Sequence, residues 1–267
     1  MQPVSTRVMN LSQFLTDTSR RHPNDIGLVW GDVTWTWAEL EARSTAFAAA
    51  LRDRYGLQKG DRLLVQSANC NQMFEAAFAC WKLGCIWVPA NFRQTPEDVA
   101  WLAASSGAKG LLAGAEFADH IAACDGVAVT VTIGGAGDDD YDALVAAHAD
   151  ASVTAAVVDR DDPAWFFFTS GTTGKPKGVM LSHGNLVETA KTFCAVEDVR
   201  ESDDFLSYLP MAWVGESMYG LTVSLFAGCA TNCPEAPETL ERDLRELGPT
   251  GFIASPRGWE TILSLLQ

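Results

Sequence analysis

The chain has 267 residues, 48% of them hydrophobic, and a formal net charge of −15 at pH 7. A chain of this length can bury a substantial core, and its acidic balance would repel a phosphate backbone, which argues against nucleic acid as a partner. No run approaches the roughly 18 consecutive apolar residues of a membrane helix, and the N-terminus lacks the order of a signal peptide. We therefore expect a cytoplasmic protein with no integral membrane segment.

The first part of the sequence alternates between helix and strand patterns. Thr36 and Glu39 have the spacing of a capping box and predict the start of a helix that Gly56 ends. Further helices are predicted at 11–22, 71–83, after Pro96, near 115–123 and from Tyr141 to His148, and strands at 26–30, 33–35, 61–67, 85–89, 109–113 and 127–133. Apolar strands that alternate with helices predict an α/β fold of parallel β-sheets flanked by helices.

A second series of the same kind follows. Ser182 has the character of a helix cap, and its helix is predicted to run to about residue 195. Strands are then predicted at 205–209, 229–232 and 251–253, and helices at 215–226, 238–247 and from Pro256 onward. Two series of this kind predict two wound subdomains, approximately 1–200 and 201–267.

The seven cysteines form no C-x-x-C pair and lie mostly in apolar segments. This pattern favours reduced thiols in the core over disulfides or a zinc site. Cys229 and Cys233 are the nearest pair, but no histidine stands beside them, so the spacing does not predict a metal there.

The chemical signal is concentrated between Trp165 and Leu181, WFFFTSGTTGKPKGVML. An apolar run gives way to small, hydroxylated, glycine and basic residues before apolar residues return, which predicts strand, exposed loop, strand. The glycines let backbone N–H groups approach a ligand, the hydroxyls add donors, and Lys175 and Lys177 add positive charge. This composition therefore favours a loop that binds a polyphosphate over a simple mobile turn.

The Walker A pattern does not describe this loop, because Gly171 and Gly174 are too close and Pro176 follows Lys175. The stretch TSGTTGKPKG instead resembles the phosphate-binding signature of the adenylate-forming superfamily, which includes the acyl-CoA synthetases. Nearly the whole chain shares the likeness, through VTWTWAELEARSTAFAAAL, GLQKGDRLLVQSANC and ACWKLGCIWVPAN.

The resemblance implies ATP-dependent activation of a carboxylic acid, with a fatty acid favoured, to an acyl-adenylate and then to an acyl-CoA thioester. ATP, Mg²⁺ and CoA would be the cofactors and co-substrates, and Thr169 would also contact the metal. No catalytic residue is assigned within the chain. By position in the motif, the residues implied to bind ATP are Thr169, Ser170, Gly171, Thr172, Thr173, Gly174 and Lys177.

The stretch SYLPMAWVGESMY resembles the next block of the family, in which L-P-L-x-H is usual. Trp213 takes the place of that histidine, and an indole cannot transfer a proton, so it is expected to be a wall or gate for an apolar acid or else a core tryptophan. Trp213, Gly215 and Glu216 are the implied substrate-binding residues, and the glutamate is typical of long-chain members. His183 is interpreted as the start of a helix rather than as a catalytic group.

The resemblance also implies that several parts of the family lie outside this chain, among them the adenine-binding loop and the C-terminal domain with the adenylation lysine. Residues 1–267 are therefore expected to form an incomplete AMP-binding N-terminal domain without pyrophosphate exchange of its own. A noncatalytic module of the same fold, in which a second polypeptide could supply the missing half, stays open. So do an aryl-CoA ligase and a fatty acyl-AMP ligase that uses a carrier protein.

Overall fold

The computed structural model describes residues 8–169 and 176–265, and its strands form a six-stranded and a four-stranded sheet. The strands are β1 (Ile26–Trp30), β2 (Val33–Thr36), β3 (Arg62–Gln66), β4 (Ile86–Ala90), β5 (Gly110–Gly114), β6 (Val129–Ile133), β7 (Pro163–Thr169), β8 (Lys177–Ser182), β9 (Asp204–Leu206) and β10 (Ala230–Cys233). The helices are α1 (Ser12–Arg21), α2 (Trp37–Asp53), α3 (Asn71–Leu83), α4 (Pro96–Ser106), α5 (Ala118–Ala123), α6 (Tyr141–Ala147), α7 (His183–Glu197), α8 (Val214–Glu216), α9 (Ser224–Ala227), α10 (Leu240–Leu247) and α11 (Pro256–Leu265).

The larger sheet has the order β6-β5-β3-β4-β7-β8, and its neighbours are parallel except β7 and β8. The smaller sheet has the order β2-β1-β10-β9, with only β1 and β2 antiparallel. Both antiparallel pairs are joined by short loops, whereas a parallel pair needs a longer crossover. The predicted α/β fold with helix-flanked sheets is confirmed, and each sheet carries one hairpin at its edge.

The N-terminal hairpin belongs to the smaller sheet, where β1 pairs in parallel with β10. Strands from both ends of the chain therefore share one sheet, because the pairing of Leu28 with Thr231 bridges a long separation in sequence. Sheet membership does not follow the expected boundary near residue 200, and the division into subdomains 1–200 and 201–267 stays a prediction.

Three predicted elements differ in the structure. The strand expected at 251–253 is a single bridge between Gly251 and Phe205, since its neighbour β9 is only three residues long. The strand expected at 205–209 ends at Leu206. The helix expected at 215–226 is divided into α8, a π-helix over Ser217–Val223, and α9.

The local start signals behave as predicted. Thr36 and Glu39 form a complete capping box on α2, and Ser182 with Asn185 does the same for α7.

All seven cysteines are free, and six are buried. In the described residues no helix combines the length and apolarity that would let it cross a membrane.

A tryptophan cluster fixes the strand that leads to the glycine loop. Trp165 of β7 is the register partner of Trp87 on β4, and their ring centroids are 6.1 Å apart. Trp81 of α3 covers them and donates its indole N–H to the Ala164 carbonyl at 3.0 Å. All three rings are buried, so the start of β7 is held rigidly before the chain reaches the loop.

Candidate functional site

The hairpin of β7 and β8 places the two described ends of the glycine loop side by side. Thr169 is the register partner of Lys177, and its hydroxyl lies 3.5 Å from the Lys177 carbonyl. Gly178 packs closely against Phe166, because a Cβ atom there would lie 2.4 Å from the ring of Phe166 and would force it to shift. The remaining predicted phosphate ligands lie outside the described residues: Ser170, Gly171, Thr172, Thr173 and Gly174.

A cavity of about 490 Å³ opens next to this hairpin, and we refer to it as the loop cavity. It lies where β4 and β7 end, which is the edge of an open α/β sheet that binds ligands. The lining residues are Pro89, Asn91, Gln94, Leu102, Phe167, Phe168, Thr169, Pro176, Ala212, Trp213, Val214 and Gly215.

The described lining of the loop cavity contains no aspartate or glutamate, although the chain has 34 acidic residues. Lys177 is exposed beside it, and no described residue forms an ion pair with its ammonium group. A described lining without carboxylates, beside a lysine that no described residue pairs with, is electrostatically suited to an anion. The described residues fit the phosphates of a nucleotide in this respect.

The same described lining could hold Mg²⁺ only together with a nucleotide, whose phosphates would supply most of the ligands of the ion. Thr169 offers a single hydroxyl oxygen, whereas Mg²⁺ prefers carboxylates together with substrate phosphates. Within residues 8–169 and 176–265, no group of three or more histidine, cysteine, aspartate or glutamate residues is arranged to hold a metal.

A second cavity of about 220 Å³ lies where strands of both sheets end, and we refer to it as the inter-sheet cavity. Its walls are mostly apolar and include three aromatic rings, those of Phe92, Tyr208 and Trp213. The lining residues are Ala68, Asn69, Phe92, Arg93, Ser207, Tyr208, Leu209, Pro210, Trp213, Pro234, Glu235, Ala236 and Leu240.

Trp213 lines both cavities and is 43% exposed. The alternative that it is a core tryptophan is therefore wrong. Its backbone N–H donates to the Pro210 carbonyl at 2.8 Å, which fixes the turn that carries the indole. Gly215 lies in the lining of the loop cavity, two residues further on.

Glu216 is only 5% exposed and appears in the lining of neither cavity. Its Oε2 atom accepts the backbone N–H of Leu209 at 3.0 Å, and its Oε1 atom has no hydrogen-bond partner among the described residues. Burial raises the pKa of this carboxyl to about 7, although the Ser207 hydroxyl and the Leu209 N–H partly offset the effect. The structure thus places Glu216 behind the cavity wall.

His183 is the first residue of α7, as interpreted from the sequence, and lines neither cavity. It is fully buried, and its Nδ1 atom accepts the backbone N–H of Leu11 at 3.4 Å. Burial lowers the pKa of the imidazole to about 4, so the ring is neutral at pH 7.

Sequence reasoning missed several residues of the two linings. Asn69 follows β3, and Asn91 and Gln94 follow β4, at the carboxyl edge where a parallel sheet binds its ligands. Polar residues directly after a predicted strand are the signal that could have identified them.

Comparison with known proteins agrees with this geometry. The family model described as AMP-binding enzyme matches residues 15–267. The chain belongs to the AMP-binding enzyme family. The resemblance expected from the sequence is thereby confirmed.

Characterised members of the AMP-binding family differ in the acids that they use. The chain is 31% identical over 208 residues to a feruloyl-CoA synthase of Amycolatopsis sp, covering 77% of this chain and 40% of the relative. It is 33% identical over 199 residues to a long-chain-fatty-acid CoA ligase of Mycobacterium tuberculosis (73% and 38%), and 31% identical over 267 residues to an oxalate–CoA ligase of Arabidopsis thaliana (95% and 51%). The chain thus spans about half, or less, of the length of these relatives.

Solved structures of the family share the fold. The complex of VinN with 3-methylaspartate is 26% identical with a TM-score of 0.80, and the alignment covers 92% of this chain and 66% of that one. The o-succinylbenzoate CoA synthetase of Bacillus subtilis, in complex with an acyl-adenylate intermediate, is 25% identical with a TM-score of 0.79 (94% and 63%).

Proposed function

We propose that this chain is the phosphate-binding and acid-binding part of an acid–CoA ligase that forms an acyl-adenylate. The observation that carries the proposal is the loop cavity, which is free of described carboxylates and lies against the glycine-loop hairpin in a strongly acidic member of the AMP-binding family. The proposed reactants are ATP, a carboxylic acid and CoA.

The reaction needs stabilisation of the leaving group. A carboxylate oxygen attacks the α-phosphorus of ATP, the bond to the bridging oxygen breaks, and pyrophosphate leaves with the electron pair. The CoA thiolate then attacks the acyl carbon and displaces AMP. The loop amides, the hydroxyl of Thr169 and the ammonium of Lys177 would hold the β and γ phosphates where negative charge grows. Mg²⁺ bound to those phosphates would neutralise part of the same charge.

The inter-sheet cavity is the proposed place for the acid. Its rings and aliphatic walls suit an apolar acid, either aliphatic or aromatic, and Trp213 stands between it and the loop cavity. We propose a fatty acid first, because Glu216 and the surrounding block resemble long-chain members. An aryl-CoA ligase and a fatty acyl-AMP ligase are the alternatives within the family.

Binding of inorganic tripolyphosphate with Mg²⁺, measured by calorimetry, tests the phosphate site without requiring turnover. Lys177→Ala should weaken binding about tenfold, which is the usual worth of a charge-assisted hydrogen bond. Lys191→Ala removes another exposed lysine, on α7, and should leave the affinity unchanged. Equal affinities for the wild type and Lys177→Ala would remove Lys177 from the site.

The noncatalytic alternative is tested separately, by ATP–pyrophosphate exchange with fatty and aromatic acids. We expect no measurable exchange from residues 1–267 alone. Exchange at a clear rate would contradict that expectation and would eliminate the noncatalytic reading. Exchange that appears only when a second polypeptide is added would support a partner that completes the site.

A further inference from the structure

The segment from Ser207 to Met211, here called the wall segment, belongs to no helix or strand, yet four of its residues line the inter-sheet cavity. A segment outside regular structure keeps its shape only if other groups bind its backbone. Ser217 donates its hydroxyl to the Met211 carbonyl, and the Ser207 N–H donates to the Asn232 carbonyl at 2.7 Å. The wall segment is therefore fixed at both ends.

Its middle is held by two side chains that act on one residue. Glu216 Oε2 accepts the N–H of Leu209 at 3.0 Å, and Asn69 Nδ2 donates to the carbonyl of Leu209 at 2.7 Å. Asn69 follows β3 of the larger sheet, while Glu216 belongs to α8, beyond β9 of the smaller one. The backbone of Leu209 is therefore held at its carbonyl by Asn69, which lines the inter-sheet cavity, and at its N–H by Glu216, which lies behind the wall.

Glu216 itself lines neither cavity, although its partners Leu209 and Ser207 in the wall segment line the inter-sheet cavity. The side chain is buried, and its Oε1 atom, which accepts no hydrogen bond from the described residues, faces Gly220, where a Cβ atom would lie 2.2 Å from that oxygen. An acidic group in such a place loses its hydration, so its interactions with the wall segment, through the Ser207 hydroxyl and the Leu209 N–H, are what stabilise it there.

This restraint on Leu209 reaches Trp213 through the backbone. Pro210 follows Leu209, and its carbonyl accepts the N–H of Trp213 at 2.8 Å. The Ser217 N–H in turn donates to the Trp213 carbonyl at 3.2 Å. Displacement of Leu209 would therefore move the indole that separates the two cavities.

We propose that Glu216 is a positioning residue that sets the wall segment and, through Pro210, the placement of Trp213, without touching the acid itself. The identity of the molecule in the cavities rests on the proposed function, but the positioning role does not. This role differs from the substrate contact that the sequence suggests for Glu216. Asn69 has the same positioning role at the carbonyl of Leu209.

The test uses ¹⁹F NMR of protein labelled with 5-fluorotryptophan, with the Trp213 resonance assigned by its loss in Trp213→Phe. Glu216→Ala should shift or broaden that resonance, whereas Glu216→Gln, which keeps an acceptor for Leu209, should restore it. Asn69→Ala should shift it in the same way, which preserves the test if Glu216→Ala does not fold. Glu188→Ala, at an exposed glutamate of α7, is the control and should leave the resonance unchanged.

The inference is overturned if the Trp213 resonance of folded Glu216→Ala matches the wild type, or if Glu216→Gln perturbs it as much as alanine does. A second arm measures binding of dodecanoate and ferulate as probes. Folded Glu216→Ala should bind the preferred probe about tenfold more weakly with unchanged tripolyphosphate affinity. If the wild type binds neither acid, the proposed acid site is contradicted, while the resonance of Trp213 still decides the positioning role.

Discussion

Replacement of Glu216 by glutamine should raise the free energy of unfolding above that of the wild type, and this difference between the two proteins should be larger at alkaline pH than at acidic pH. The pKa of this carboxyl is raised from 4.5 to about 7 by burial, so the folded state holds the proton more tightly than the unfolded chain does. A raised pKa contributes stability at low pH, and the contribution is lost as the pH rises through about 7. Between pH 5 and pH 8 this linkage removes about 2 to 3 kcal/mol from the free energy of unfolding of the wild type, and it removes nothing from the glutamine variant, whose side chain does not titrate.

The groups that face Glu216 do not add a competing titration in this range. Burial raises the pKa of the Tyr208 phenol above its usual value, and it raises that of the Cys233 thiol well above its own. Both groups therefore keep their protons up to pH 8, and titrations elsewhere are common to the two proteins.

Urea unfolding of the wild type and Glu216→Gln at several pH values measures the difference directly. The two free energies of unfolding should be closest near pH 5 and should diverge up to pH 8, with glutamine the more stable. A difference that is constant with pH would refute the reasoning, because it would show that Glu216 has the same proton affinity in the folded and unfolded chain.

Two further substitutions test the site. Gly178→Ala should destabilise the protein by about 1–3 kcal/mol, since the new Cβ atom would overlap the ring of Phe166. The control in the same urea titration is Gly126→Ala, whose Cβ atom meets no atom within 4 Å. Equal stability of the two variants would contradict the close packing of the hairpin. Trp213→Ala should join the two cavities and shift the ratio of affinities for dodecanoate and octanoate towards the longer acid, with Trp213→Phe as the control. An unchanged ratio would remove Trp213 as a wall of the acid site.

Elements with strong local signals could be predicted from the sequence. The capping boxes at Thr36 and Ser182 place the starts of α2 and α7, because the cap hydrogen bonds involve residues only three apart. The strands on both sides of the glycine loop were also predicted, since two apolar runs flank residues that suit no helix or strand, but their antiparallel pairing was not part of that prediction.

Features that depend on distant parts of the chain could not be predicted in this way. The pairing of β1 with β10 joins segments far apart in sequence, and no local pattern specifies it. The burial of Glu216 depends on a π-helix that brings Gly220 against its carboxyl, so the family resemblance of its block, which implied a substrate contact, could not show it. The exposure of Trp213 likewise follows from the turn at Pro210.

Hydrogen–deuterium exchange of the peptide that spans Thr169 to Gly178 tests the central claim most directly. If this loop holds the β and γ phosphates, ATP with Mg²⁺ at saturating concentration should slow exchange of its backbone amides, and AMP should slow it much less. The account would be contradicted if saturating ATP slowed exchange in other segments but left exchange in this peptide unchanged.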